Sequence, residues 1–205
     1  MGYNVIHMVE AADRLEEVEY FRLLEQCRQT YRYLAGNDKC NEQVCMMVSD
    51  KVKEVQTEHG TWPGETAFRR PRRRKTAEKN EQKVCLEDAL EAAGKHIRYG
   101  SDWIVILYTA GAIRRSKRTI LGKWKRTLPQ LPILLAIKTE QADRTFLESY
   151  TEADHIFSIE MQDEVIRWLD EYGGNAVEFE DTMHKTERRP EKTEELWKII
   201  RDCFV

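Results

Sequence analysis

The sequence predicts an α/β domain in which a doubly wound, mostly parallel six-stranded sheet carries helices on both of its faces. Two segments, DWIVILYTAG at 102–111 and ILLAIK at 133–138, are apolar at consecutive positions, as strands buried on both faces are. Segments with a helical spacing of apolar residues separate the strands, which is typical of a parallel sheet with helical crossovers. A length of 205 residues suits one such domain.

The first half of the chain is expected to supply three strands and two helices. Residues 4–10 form a short apolar strand, and residues 16–35 form a helix whose apolar residues recur at spacings of three and four. Residues 44–49 and 51–56 are predicted to pair as a hairpin. A second helix is predicted over 84–98, again from an apolar stripe.

The second half continues the alternation of strands and helices. Pro129 and Pro132 frame the turn that enters one of the buried strands. Gly173 and Gly174 end one of the helices. The predicted strands are 102–111, 133–138 and 155–160, with an added edge strand at 176–180, and the predicted helices are 116–127, 143–150, 163–172 and 191–203.

Residues 1–205 are interpreted as one domain with two departures from this alternation. Residues 58–82 contain glycine, proline and a run of arginines and show no apolar period, so we expect a flexible loop insertion. Residues 176–205 are predicted to be a C-terminal extension that carries the final helix.

Composition and motifs exclude several classes of function. No run of 18 apolar residues is present, which argues against a membrane span. The five cysteines form no C-x-x-C pair, which argues against a zinc site or a disulfide framework and favours a reducing compartment. Neither a nucleotide-binding glycine motif nor a G-x-S-x-G nucleophile turn occurs. We therefore expect no enzyme activity, no catalytic residue, no cofactor, no membrane contact and no small-molecule substrate.

Three stretches of the chain resemble the von Willebrand factor A (vWA) domain family. NVIHMVEAADR at 4–14 is similar to the family's first strand and the D-x-S-x-S motif that follows it. CLEDALEAAGKHIRYGSDWIVILYTAG at 85–111 resembles the family's helix and the strand that ends in T-D-G. ILLAIK and DHIFSIEMQDEVIRWL resemble its last two strands and their helices. The resemblance covers about residues 4–172 and implies a vWA-like sheet, and another Rossmann-like fold is the alternative.

The resemblance also identifies where the family's metal-ion-dependent adhesion site would lie. The Asp, Ser and Ser of D-x-S-x-S correspond to Glu10, Ala12 and Arg14, and the Asp of T-D-G corresponds to Ala110. The Thr before the family's third helix falls near Val84. Because a hard divalent cation needs several oxygen ligands, these substitutions imply a degenerate site that binds no metal.

Two segments concentrate positive charge in a chain whose formal net charge is −3. The first, RRPRRRK at 69–75, has six positive charges, and the second, at 113–127, has seven; neither contains an acid. The first segment is a nuclear localisation signal, a nucleic-acid contact or a solvated charge run. The second is either an ordinary amphipathic helix or part of an anion-binding surface. The candidate residues are Arg69, Arg70, Arg72, Arg73, Arg74, Lys75, Lys117, Arg118, Lys125 and Arg126.

The resemblance implies a non-catalytic protein–protein interaction module. Relatives of this kind inside cells are subunits of assemblies for DNA repair, transcription, RNA processing and protein degradation. We therefore expect other protein subunits as partners, and a nuclear, or nuclear and cytoplasmic, location. Partner contact is expected at a rim that includes Arg14, Arg114 and Arg115. Trp62 could anchor a partner or could fold back onto the domain.

Two alternatives use the same residues differently. The first is a nucleic-acid-binding α/β protein that employs the basic segments 69–75 and 114–126. The second is a TIR-like signalling domain, which also alternates strands and helices but requires a catalytic Glu that the sequence does not identify.

Overall fold

A computed structural model describes most of the predicted domain. The described residues are 2–12, 15–49, 51–55, 61–70, 86–98, 101–111, 113 and 132–172. The chain divides into a unit of Gly2–Arg167 and a second unit that contains Met1 and Trp168–Val205. The predicted helices at 116–127 and 191–203, the edge strand at 176–180 and the extension at 176–205 lie outside the described residues.

The larger unit contains one six-stranded sheet with the strand order β3-β2-β1-β4-β5-β6. Four of its five pairings are parallel, and only β2 with β3 is antiparallel. The predicted doubly wound, mostly parallel α/β fold is therefore confirmed. The strands are β1 (Tyr3–Glu10), β2 (Cys40–Val48), β3 (Val52–Val55), β4 (Trp103–Thr109), β5 (Ile133–Lys138) and β6 (Ile156–Ser158).

Four helices belong to the described part of the chain. Helix α3 begins where the Asp143 carboxylate accepts a hydrogen bond of 2.9 Å from the Thr145 amide, an N-cap. Within the second unit, the rings of Trp168 and Tyr172 stack with centroids 5.3 Å apart. The helices are α1 (Glu17–Ala35), α2 (Leu86–Gly94), α3 (Arg144–Glu148) and α4 (162–172), and short 3-10 turns cover Glu65–Phe68 and Ala153–His155. Among the described residues, no helix is both long and apolar enough to cross a membrane.

Strand β1 is buried at all eight positions because it pairs on both sides and is covered on both faces. Ile6 and Met8 pack into a cluster with α2, which covers one face. His7, which points to the opposite face, contacts Tyr31 of α1 with ring centroids 5.6 Å apart. The two helices therefore sandwich the centre of the sheet.

The parallel pairing brings the carboxyl ends of β1, β4 and β5 to one side of the sheet, which we call the carboxyl edge. The chain passes from β1 outward to β2, and returns to place β4 on the other side of β1. Such a reversal of strand order opens a crevice at the strand ends, where ligands of doubly wound folds bind. The carboxyl ends of β1 and β4 are therefore the place to look for a site.

Candidate functional site

Glu10, the last residue of β1, ties β1 to β4 at the carboxyl edge. Its side chain is fully buried, and Oε2 accepts hydrogen bonds of 2.7 Å from both the Thr109 hydroxyl and the Ala110 amide. Thr109 Oγ1 also accepts a bond of 3.0 Å from the amide of Gly111. The carboxylate is thus used inside the protein to fix the turn that follows β4.

The turn after β4 packs tightly against the loop that follows β5. Gly111 has φ of +86°, which favours glycine, and a Cβ at this position would lie 2.9 Å from Cα of Ala142. The Thr139 amide donates to the Thr109 carbonyl at 3.0 Å. Thr139 is buried, and its hydroxyl has no hydrogen-bond partner among the described residues. These contacts close the carboxyl edge between β4 and β5.

The positions that the family resemblance assigns to a metal site contribute few oxygen atoms in the described part of the chain. Ala12 and Ala110 have no side-chain oxygen, and the carboxylate of Glu10 is bonded as described. Arg14 and Val84 lie outside the described residues.

The turn between β1 and α1 is held by Arg70, one of the predicted basic residues. Its guanidinium Nη2 donates to the carbonyl oxygens of Ala12 at 2.9 Å and Leu15 at 2.8 Å. The same guanidinium lies over the ring of Tyr20, 5.2 Å from its centroid. Arg70 is therefore committed to contacts within the domain, whereas its neighbour Arg69 is exposed.

Arg70 ends a segment of residues 61–70, which we call the strap, that packs along α1. The ring of Trp62 stacks on Phe68 at 4.8 Å and meets the edge of Tyr31 at 5.4 Å. The Tyr31 hydroxyl donates to the Thr61 carbonyl at 3.3 Å, and the Tyr20 hydroxyl donates to the Phe68 carbonyl. Burial raises the pKa of Tyr20 to about 12, although the charge of Arg70 opposes the shift.

The strap corrects the expectation that 58–82 is a flexible loop throughout. Residues 61–70 are held by aromatic stacking and by hydrogen bonds to α1. Trp62 is half-buried, and its ring contacts Phe68 and Tyr31 within the domain; its predicted role as a partner contact stays a prediction. The remainder of the predicted loop, 58–60 and 71–82, lies outside the described residues.

Most of the residues predicted to contact a partner or nucleic acid lie outside the described part of the chain. Within the basic segments, Arg69 and Arg70 are the exceptions. Arg70 makes hydrogen bonds within the domain, whereas Arg69 is exposed. Outside the described residues lie Arg14, Arg72, Arg73, Arg74, Lys75, Arg114, Arg115, Lys117, Arg118, Lys125 and Arg126. Their assignments stay predictions.

An apolar surface that was not predicted from the sequence lies at the start of α1, beside the carboxyl edge. Val18 and Phe21 are 68% and 52% exposed, and no other large hydrophobic side chain in the described residues is exposed. They lie three residues apart on an α-helix and therefore share a face. The signal for this surface in the sequence was the presence of these two apolar residues on the otherwise polar face of α1.

A polar network behind the carboxyl edge was also missed. The buried His7 ring lies 2.9 Å from Gln43 Oε1 through Nε2 and 3.0 Å from the Tyr108 hydroxyl through Nδ1. Gln43 in turn donates to the carbonyl of Tyr31 at 3.3 Å. Burial lowers the pKa of His7 to about 4, against the opposing effect of the Gln43 hydrogen bond.

One other group of potential metal ligands occurs in the described residues, away from the carboxyl edge. Glu152, Asp154 and His155 bring one ligand atom each to within 4.8 Å of the others. They precede β6, which runs parallel to β5, so they lie at the opposite side of the sheet. Both carboxylates are exposed, as acidic groups without a metal commonly are.

The strand order and the helices on both faces define a vWA-like α/β fold, and comparison with solved structures supports it. Proximal thread matrix protein 1 from the mussel byssus matches with a TM-score of 0.55 and 12% identity over 82% of this chain and 46% of the other. The same protein with a zinc-occupied MIDAS motif matches with a TM-score of 0.54 and 13% identity over 82% and 47%. This chain therefore spans a little under half the length of these proteins. No family model and no curated protein matches the chain.

Proposed function

We propose that this chain is a non-catalytic protein–protein interaction module, a subunit or adaptor of a nuclear multi-protein complex, which binds its partner at the carboxyl edge without a metal ion. The observation that carries the proposal is the exposure of Val18 and Phe21 next to that edge. Apolar side chains exposed at the rim of a ligand-binding crevice are typical anchors for a protein partner.

The rest of the outer face of α1 supports this assignment because its charges are largely paired. Arg22 bridges Glu19 at 3.0 Å and Glu160 at 2.7 Å, and Arg28 pairs with Glu25 at 2.5 Å. The apolar pair therefore lies beside charged side chains that already form ion pairs within the domain. A partner would gain most by covering the apolar pair.

Few side-chain oxygens among the described residues of the carboxyl edge are available to a divalent cation, which supports binding without a metal ion. Such an ion takes about six oxygen ligands, several of them from the protein in a dedicated site. Glu10 and Thr109 bond to each other, and neither Ala12 nor Ala110 supplies a side-chain oxygen. Binding through shape and apolar contact does not require these oxygen ligands.

The same geometry favours a non-catalytic role. A general base must reach a proton on its substrate. Glu10 is fully buried and already accepts two hydrogen bonds, while both ring nitrogens of His7 face hydrogen-bond partners inside the core. Neither side chain is placed to act on a molecule from solvent.

The test of this function is affinity capture followed by binding measurements with the purified partner. We expect a nuclear protein to be captured equally well with and without EDTA. The double variant Val18→Ser, Phe21→Ser should lose binding at least ten-fold while its melting temperature holds, since both side chains are exposed. Gln29→Ala, an exposed substitution further along α1, is the matched control. Binding that requires a divalent cation, or that survives the double variant unchanged, would contradict the proposal.

A calorimetric titration with magnesium chloride tests the metal-independence separately. We expect no stoichiometric binding at the carboxyl edge. Because Glu152, Asp154 and His155 could hold an ion weakly, the titration is repeated on Asp154→Asn. A stoichiometric signal that survives Asp154→Asn and disappears in Glu10→Gln would contradict the metal-free assignment.

A further inference from the structure

The strap contacts the turn between β1 and α1 through the side chain of Arg70. One nitrogen, Nη2, contacts the carbonyl oxygens of Ala12 and Leu15, at 2.9 and 2.8 Å. The Leu15 amide also donates to the Ala12 carbonyl at 3.0 Å, so the same two residues are joined by a backbone hydrogen bond. The guanidinium therefore clamps both ends of the turn at once.

The chemistry of this contact makes Arg70 hard to replace. Two carbonyl oxygens that converge on one point repel each other unless a positive group lies between them. A guanidinium is always charged and carries only donors, so it satisfies both oxygens without competing for the backbone amides. Hydrogen bonds to a charged group are also stronger than neutral ones.

Contacts between the strap and α1 also hold the Arg70 guanidinium in place. Tyr20 contributes twice, because its ring lies beneath the guanidinium and its hydroxyl donates to the Phe68 carbonyl two residues before Arg70. Phe68 itself is buried and stacks on Trp62. The ordered backbone of the strap therefore positions the side chain of Arg70. Its hydrogen bonds to the turn are not the only contacts that hold it.

We propose that Arg70 is a positioning residue of the carboxyl edge, the built-in cation that holds the turn between β1 and α1 in its partner-binding shape. The assignment of a partner-binding role rests on the proposed function, whereas the clamp itself does not. In this arrangement the first two residues of the basic segment differ in role, since Arg70 maintains the domain and Arg69 faces solvent.

The decisive experiment is hydrogen–deuterium exchange on Arg70→Ala with Arg69→Ala as the matched control. Losing the two charge-assisted bonds should speed exchange in the turn around residues 11–16 by about ten-fold or more, with the strands unchanged. Arg70→Lys should restore part of the protection, because lysine keeps the charge but lacks the planar group that lies over the ring of Tyr20. Added magnesium or manganese should restore none. Equal exchange in the two alanine variants, or a loss of protection spread across the sheet, would overturn the clamp.

Binding of the captured partner then separates the two proposals. If Arg70→Ala loosens the turn and weakens binding while Arg69→Ala does neither, Arg70 is a positioning residue for the partner. If the turn loosens and binding is unchanged, the clamp stands but the partner-binding role of Arg70 is wrong. If Arg70→Ala leaves the turn protected, the clamp is wrong even where the Val18 and Phe21 variant abolishes binding.

Discussion

Acidification from pH 7 to pH 5 should destabilise this domain through His7. Gln43 Nε2 donates to the Tyr31 carbonyl, so Gln43 Oε1 is the acceptor that faces His7 Nε2. His7 Nε2 therefore carries the proton and Nδ1 accepts from the Tyr108 hydroxyl. A second proton on the ring would place a charge in the core and turn the Nδ1 acceptor into a donor.

The magnitude follows from the two pKa values of His7. Burial lowers its pKa from 6.5 to about 4 in the folded protein, with Gln43 opposing the shift. Between these values the unfolded chain binds the proton and the folded chain does not, so stability falls as the pH drops. At about 1.4 kcal/mol per unit, the full effect is about 3 kcal/mol, of which about 2 kcal/mol is expressed between pH 7 and pH 5.

The groups that face His7 stay uncharged through this range. Burial raises the pKa of Tyr108 well above its usual value, and the pKa of the neighbouring Cys27 thiol rises for the same reason. Neither gains or loses a proton between pH 5 and pH 7. Among the exposed carboxyls, hydrogen bonds lower the pKa of Glu25 and Glu160, whose titration therefore falls below this range.

The assay is urea unfolding at a series of pH values, with the His7 proton resonance followed by NMR. The wild-type free energy of unfolding should drop by about 2 kcal/mol from pH 7 to pH 5, and His7→Gln should remove most of that slope. His96→Gln, at a half-buried histidine, should retain it. A His7 resonance that titrates near pH 6.5, or an unchanged slope in His7→Gln, would contradict this role of the buried histidine.

Five further variants, at four positions, test the carboxyl edge and the strap, each by urea unfolding. Gly111→Ala should cost about 2 kcal/mol or more, since φ is +86° and the new Cβ meets backbone at 2.9 Å. Gly36→Ala, where the nearest atom is 3.7 Å away, should change stability by less than about 1 kcal/mol. Glu10→Ala should cost about 2 kcal/mol or more by leaving two buried donors without their acceptor, and Glu10→Gln should cost less. Trp62→Ala should cost about 2 kcal/mol through the lost ring contacts. Equal effects of the two glycine or the two Glu10 variants, or a neutral Trp62→Ala, would contradict the packing described.

The central strands were predictable because burial on both faces leaves a continuous apolar run. Strands β4 and β5 follow that rule, and the structure buries nearly all of their residues. Strand β2 begins at Cys40, four residues earlier than predicted, because its polar first half pairs with β1 while its side chains remain partly exposed. A residue can pair with a neighbouring strand through its backbone and still carry a polar, partly exposed side chain. Its place in the strand is then not visible as an apolar pattern in the sequence.

The strap and the polar networks were beyond prediction because their order comes from distant residues. Nothing local distinguishes residues 61–70 from a loop, whereas Tyr20 and Tyr31, some 30 to 50 positions away, hold them through rings and hydroxyls. Glu10 could be assigned to the strand end from the sequence, but its bonds to Thr109 and Ala110 depend on the pairing of β1 with β4.

The terminal strands of the described sheet limit how this protein can assemble with others. Strand β3 has four residues and exposes Lys53 and Glu54, and β6 has three residues. Short outer strands, charged in the case of β3, discourage the backbone of a second chain from extending the sheet. We therefore expect a protein partner of this domain to be recognised by side chains, so that a single exposed residue could decide which partner is accepted.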